Sequence, residues 1–224
     1  MDRAVLTPGA GRALALLSLA LVLSMSTWFS ASAVIPQLRE EWSLSTGAGA
    51  WLTIAVQLGF VAGALLSSVL TLADVVPPHR VVFAGSVGAA CANALLLVAG
   101  GPEAAIPLRA ATGLFLAGVY PPALKLMATW FRQGRGAALG VIVGALTVGS
   151  ALPYLVNGAG GIDWRHVIVV TSALTAAGGV LTLLAVPEGP YPFPRARFDP
   201  RQAPLVFANR GIRLASLGYF GHMW

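Results

Sequence analysis

Arg109 is the one charged side chain positioned to lie inside an apolar stretch of this sequence, and Tyr120 follows it in "RAATGLFLAGVYPP". Eleven residues at about 100° each bring the two to nearly the same helix face, ~16 Å apart along the axis. A guanidinium in a partly dehydrated cavity can hold a small anion through charge-assisted, often bidentate hydrogen bonds that lysine does not reproduce. Near an interface the same side chain would instead snorkel or form a structural ion pair. A second set precedes it. Ser24, Thr27 and Ser30 fall within about 60° of one line, Trp28 flanks them, and Leu21, Val22, Met25 and Phe29 take the opposite side. Such hydroxyls either meet a solute or bond back to their own helix. A third set, Asp74, Arg80 and Arg135, sits at expected helix ends. The Asp74 carboxylate is expected beside Arg80 or Arg135. Surface pairs are worth only ~0–1 kcal/mol, yet that is enough to bias conformers of similar energy, so these three form a candidate conformational gate.

Other chemistry lacks its residues. Ser86, Ser150 and His166 lie in or beside apolar stretches, but the sequence holds no GxSG around a serine, no HExxH and no paired intramembrane aspartates, which argues against an intramembrane enzyme. A six-helix channel of the aquaporin type needs two Asn-Pro-Ala motifs, and the asparagines here read "NAL" at Asn93 and "NGA" at Asn157. No catalytic, cofactor or metal residue is assigned. The apolar stretches contain no Asp or Glu, so a carboxylate proton relay would have to come from elsewhere.

The elements that must position these side chains are membrane helices. Hydrophobic residues are 57% of the chain and charged ones 10%, against roughly 25% charged in soluble domains. Uncharged runs cover Ala13–Gln37, Ser43–Ala73, Val81–Pro102, Ala110–Leu124, Gly136–Ile162 and His166–Pro187. A crossing needs about 20 residues. Five runs suffice alone, and the fourth does so if Arg109 or Lys125 lies in its helix, giving six spans. Lys125 is expected on the other side of that helix, snorkelling or paired at the interface, beyond an interruption at Pro121 and Pro122. With the N-terminus in the cytoplasm, 11 Lys and Arg fall inside and three (Arg39, Arg109, Arg165) outside, as the positive-inside rule requires. The net charge of +6 therefore orients the chain in an inner, cytoplasmic membrane and marks no nucleic-acid partner. The start, with Arg12, a long apolar run and "ASA", has features of a signal peptide, but the run exceeds that length and five more spans come after it.

The expected layout is a six-helix transmembrane half over residues 1–187, a basic, proline-rich cytoplasmic linker over 188–213, and the start of a seventh helix over 214–224. Missing its C-terminal half, such a chain would supply one wall of a transport cavity. "LADVVPPHR" after span two and "GIDWR" after span five echo each other on opposite membrane sides, the pattern of a 3+3 inverted repeat. Gly59, Gly63 and Ser67 in span two, and Gly136, Gly140 and Gly144 in span five, have the four-residue spacing that lets helix backbones approach.

These features together resemble the N-terminal half of the major facilitator superfamily. Leu72, Asp74, His79 and Arg80 of "LADVVPPHR" match that family's loop after helix two, although Pro77 and Pro78 stand where Gly is expected and Leu70 replaces the leading Gly. Arg109, Gly113, Gly118 and Pro121 are similar to its fourth-helix pattern, "WFRQGRGAALG" to the loop before helix five, and "DWR" to the start of helix six. The resemblance implies an all-α six-helix bundle and secondary transport of a small solute by alternating access, with helices one and four facing a central cavity. Substrate contacts are then expected from Arg109, Tyr120, Trp28, Thr27 and Ser24. "YPPALKLMATWF" is similar to the nitrate/nitrite and cyanate-type branch, which makes a small anion a candidate cargo. That branch's anion-binding arginine in helix two has no counterpart, since span two offers only Thr53 and Gln57 as polar groups in mid-helix.

Overall fold

The computed structural model describes residues 8–158, 162–193 and 208–222, and within them every regular element is helical. Span one is α1 (Ala10–Ser24), a 3-10 turn (Met25–Thr27), and the short helices α2 (Ser30–Ala33) and α3 (Ile35–Trp42). Span two is α4 (Thr46–Val69), joined through α5 (Leu72–Val75) to span three, α6 (Pro78–Ala94), which ends in a 3-10 turn over Leu95–Val98. Span four divides into α7 (Pro102–Leu116) and α8 (Tyr120–Ala128), and spans five and six are α9 (Arg135–Gly158) and α10 (Trp164–Ala185). Spans one, two, three, five and six are each long and apolar enough to cross a bilayer. Span four is built from two shorter helices, with Arg109 inside α7 and Lys125 inside α8.

The division of span four has its cause in its prolines. Without an N–H, Pro121 and Pro122 cannot bond the carbonyls of Ala117 and Gly118, so the α-ladder stops there. The chain tightens into i−3 bonds, Gly118 N–H to Phe115 O at 2.9 Å and Val119 N–H to Leu116 O at 2.9 Å, and restarts with both prolines in the first turn of α8. The interruption thus falls just before Tyr120 rather than after it.

Span four lies against span two as span one lies against span five, while spans three and six pack on each other. That is the pairing a two-fold relation between two groups of three helices produces. The contact between α4 and α7 is backbone on backbone. A Cβ added to Gly59 would sit 1.9 Å from the Ala110 carbonyl oxygen, and one on Gly113 would sit 1.9 Å from that of Val56. The glycine spacing in span five has no such use within this bundle, since Gly136, Gly140 and Gly144 have nothing within 4 Å among the described residues.

At the end of the bundle where α10 finishes, residues 187–193 fold back over the connection between α8 and α9. Gly189 N–H donates to Thr129 Oγ1 at 2.7 Å, Tyr191 N–H to Thr129 O at 3.0 Å, and the Trp130 indole to Pro187 O at 3.1 Å. The expected linker is therefore docked at its start, while residues 194–207 lie outside the described residues. Helix α11 (Arg210–His222) begins four residues ahead of the seventh helix expected from Leu214. At the opposite end Asp163 caps α10, and the Arg165 backbone N–H holds its carboxyl below the usual carboxylate range. There α3 is tied down by Glu41, which accepts from Trp164 Nε1 at 2.6 Å and pairs with Arg165.

The close backbone approach gives a contrast to measure. Gly113→Ala should lower the thermal unfolding midpoint by an amount equal to about 1–3 kcal/mol or more, since rigid backbone would have to move. Gly140→Ala should leave the stability of this chain unchanged within ~0.5 kcal/mol.

Candidate functional site

Both interrupted helices contribute to one cleft of about 590 Å³. From span one come Met25, Trp28 and Phe29; from span four comes Tyr120, the first residue after its break. Spans two and five complete the walls with Gln57, Phe60, Val61, Leu146 and Ser150. Trp28 meets Phe60 edge to face with ring centroids 5.1 Å apart. Of the two polar groups in mid-span two, Thr53 is bonded to Ser32 at 2.7 Å, leaving Gln57, exposed, as the amide on the cleft side.

A broken helix in hydrocarbon carries a specific cost, because backbone carbonyls freed from the ladder find no water. Arg109 answers that need in span one. Its guanidinium is fully buried and donates to Thr27 O at 3.0 Å and to Trp28 O on span one, and to Leu52 O at 3.3 Å on α4. The same group reaches Ser30 Oγ and Asn93 Oδ1, both at 3.2 Å. None of the ion pairs among the described residues involves Arg109. Its position is set by the glycine contacts, which bring α7 close enough to α4 for a side chain to reach a main-chain oxygen across the interface.

The hydroxyl stripe of span one has the expected phase and the opposite destination. Ser24, Thr27 and Ser30 are all fully buried, turned toward spans three, four and six. Ser86 Oγ donates to Ser24 Oγ at 3.1 Å, and Thr175 Oγ1 to Thr27 Oγ1 at 3.3 Å. Asn93 joins Ser30, Arg109, Thr171 and Ser172 in the same network. Met25 and Phe29, from the apolar side of span one, border the cleft instead. Of the five residues expected at the substrate, Trp28 and Tyr120 come together there, whereas Arg109, Ser24 and Thr27 form the packed layer behind. Asn93, Thr171 and Thr175 were not singled out from sequence. An asparagine in an otherwise apolar span is itself a signal, because its amide must find partners somewhere in the bundle.

The expected gate residues also have definite places. Asp74 pairs with Lys125, the two side chains about a quarter exposed at 26% and 24%, and not with Arg80 or Arg135. Physical reach explains the change: Lys125 lies in the last turn of α8 beside the α5–α6 connection, where Arg80 points outward and is exposed. Arg135 donates from Nε to Phe131 O at 2.6 Å, and its guanidinium lies over the Phe193 ring, 5.4 Å from the centroid.

A sequence profile of the Major Facilitator Superfamily matches residues 17–223. The chain belongs to that superfamily. It is 29% identical over 171 residues to a "Probable actinorhodin transporter" of Streptomyces coelicolor, a match that covers 73% of this chain and 29% of the relative. Its fold is similar to the crystal structure of a bacterial homologue of the human lysosomal transporter Spinster, in an inward-facing and unoccupied conformation. The TM-score is 0.73 at 17% identity, covering 90% of this chain and 49% of that one. This superfamily chain thus spans under a third of the curated relative and about half of the solved structure. The family points to a transporter rather than an enzyme, embedded in a membrane through several spans.

Arg109→Ala would take a donor from the Thr27, Trp28 and Leu52 carbonyls in a dry layer; Thr27 O keeps its bond from Ser30 Oγ and Leu52 stays in the α4 ladder, so Trp28 O is the group left unpaired, at ~1–3 kcal/mol. Loss of thermal stability on the order of 1–3 kcal/mol is expected, with Arg109→Lys recovering part of it because an ammonium has three donors but no planar fork. Wild-type stability in the Ala protein would contradict the holding role.

Proposed function

We propose that this chain is one half of a secondary active transporter that moves a small solute by alternating access. The cleft bordered by Trp28 and Tyr120 is its contribution to the solute path. The observation that carries this reading is that one cleft is bordered by the break of span one, through Met25, Trp28 and Phe29, and by Tyr120, the first residue after the corresponding break of span four in a 3+3 repeat. Discontinuous helices at the midplane are a common way for transporters to bring irregular backbone and side chains to a solute. The curated relative's name gives actinorhodin as its cargo, which places actinorhodin among the solutes to assay.

A second half would face the side of the bundle where the cleft opens. The unoccupied stripe of Gly136, Gly140 and Gly144 on α9 supports that arrangement, because small residues let another helix approach where lipid gives no hydrophobic drive. In this reading residues 1–187 are the six-helix half, 188–213 the cytoplasmic linker, and the helix that includes residues 214–222 opens the second half. The N-terminus lies in the cytoplasm and the protein in the inner membrane, as the distribution of Lys and Arg favours. Within the site Trp28 and Tyr120 contact the solute, while Arg109, Ser24 and Thr27 hold the break behind them in shape. Asp74 and Lys125 act as the conformational latch, with Arg80 and Arg135 as further cations at that end. A partly exposed pair of this kind is weak enough to open in each cycle.

Three measurements test this. Because the chain covers about half of the solved structure it resembles, the complete protein should carry a second half of about six further apolar spans; its absence from the gene would contradict the half-transporter reading. In the complete protein with Cys91→Ser and any other native cysteine replaced, a thiol at Ser150→Cys should react with an impermeant reagent applied from either side of the membrane. Reaction from one side alone under every condition would exclude alternating access. Asp74→Asn and Lys125→Met should each shift that two-sided reactivity in the same direction, and the double charge exchange Asp74→Lys with Lys125→Asp should shift it back.

A further inference from the structure

We propose that the cleft binds an uncharged, flat aromatic solute with a hydrogen-bonding edge, stacked against Trp28 and Phe60 with its edge toward Gln57 and Ser150. This rests on the cleft being the solute path and names the class of molecule that fits it. The volume of about 590 Å³ is within the range of small-molecule sites and accommodates roughly three fused rings. Its walls are aromatic on three sides, with Trp28 and Phe29 from span one, Phe60 from span two and Tyr120 from span four. Rings offer flat partners favourable offset or edge contacts at little entropic cost, since each has only two side-chain torsions to fix.

Charge decides against the anion expected from the sequence. The arginine that suggested it is fully buried and commits its donors to Thr27, Trp28, Leu52, Ser30 and Asn93. Among the described residues no charged side chain borders the cleft. An ion that shed its water against this wall would meet no countercharge from it, and desolvation of an unpaired ion is costly. An organic cation would find ring faces but no carboxylate, because the spans contain none. A neutral solute avoids both penalties. Some polarity is still needed. The exposed amide of Gln57 offers a donor and an acceptor, and Ser150 Oγ, which already donates to Thr147 O at 2.9 Å, keeps lone pairs for an incoming N–H or O–H. A carbonyl or hydroxyl on the solute's rim satisfies these groups; a plain hydrocarbon leaves them unpaired.

The test uses the complete polypeptide encoded by the reading frame, purified in detergent and also reconstituted in vesicles. Acridone, a neutral three-ring molecule with one N–H and one carbonyl, is compared with naphthalene-2-sulfonate, nitrate and tetraethylammonium. Binding is read by equilibrium dialysis and movement by vesicle flux. Acridone should bind saturably and the three ions should not compete with it. Trp28→Ala should weaken acridone about tenfold, Trp28→Phe much less, and Gln57→Leu about fivefold, from loss of a ring contact and of a hydrogen bond respectively. Leu184→Ala on the outer surface should leave the affinity unchanged. Because Gln57 is exposed, Gln57→Leu keeps the test decisive where Trp28→Ala does not fold. Failure of acridone to bind, or binding of an ion in its place, overturns the assignment. So does acridone binding that Trp28→Phe, Trp28→Ala and Gln57→Leu leave unchanged. Site-dependent binding without movement across the vesicle membrane supports the solute class and counts against the transport reading, and so separates the two.

Discussion

Backbone carbonyls inside a membrane must be bonded, and in this protein that requirement is concentrated at one place. Span one is interrupted between Ser24 and Ser30, and Arg109 supplies donors to two of the carbonyls exposed there while also holding the neighbouring helix α4. A guanidinium suits the task because it carries five donors in a fixed plane, is weakly hydrated compared with an ammonium, and stays charged. Its burial without a carboxylate is made tolerable by the converging oxygens of Thr27, Trp28, Leu52, Ser30 and Asn93.

The placement of polar and apolar side chains has the same origin. Hydroxyls and amides on spans one, three and six are gathered behind the break, where each can find another of its kind. Connected in this way, buried polar groups avoid most of the cost of leaving water. The side of span one left for the cleft is then Met25, Trp28 and Phe29. The aromatic character of the cleft is the complement of the polar layer, and both derive from the need to satisfy a broken backbone.

Two kinds of contact divide rigidity from movement. The α4–α7 interface, with glycine backbones against carbonyls at Gly59 and Gly113, leaves no room for one helix to slide on the other and fixes Arg109 relative to both. At the bundle end near α10 the Asp74–Lys125 pair is partly solvated and correspondingly weak. Residues 187–193 lie close by, anchored on Thr129 and Trp130, with Arg132 over the Tyr191 ring at 4.6 Å. The pair and the chain leaving α10 thus share one end of the bundle, apart from the packed layer around Arg109.

The sequence by itself determined six spans, their approximate limits, the interruption of span four and the presence of Arg109 within an apolar helix. All of these depend on one-dimensional quantities: runs without charge, prolines without an N–H, and a lone cation in an apolar stretch. It also determined the phase of span one, with Ser24, Thr27 and Ser30 on one side and Met25 and Phe29 on the other. Which side meets the cleft was decided only by tertiary structure, because periodicity fixes a helix's faces relative to each other and says nothing about what lies beyond each. The partner of Asp74 belongs to the same class, since Lys125 is 51 residues away and only the packing of α8 beside the α5–α6 connection brings it within reach. Likewise Gly59 and Gly140 have identical local signatures, and only assembly separates the one pressed against a carbonyl from the one with open space above it.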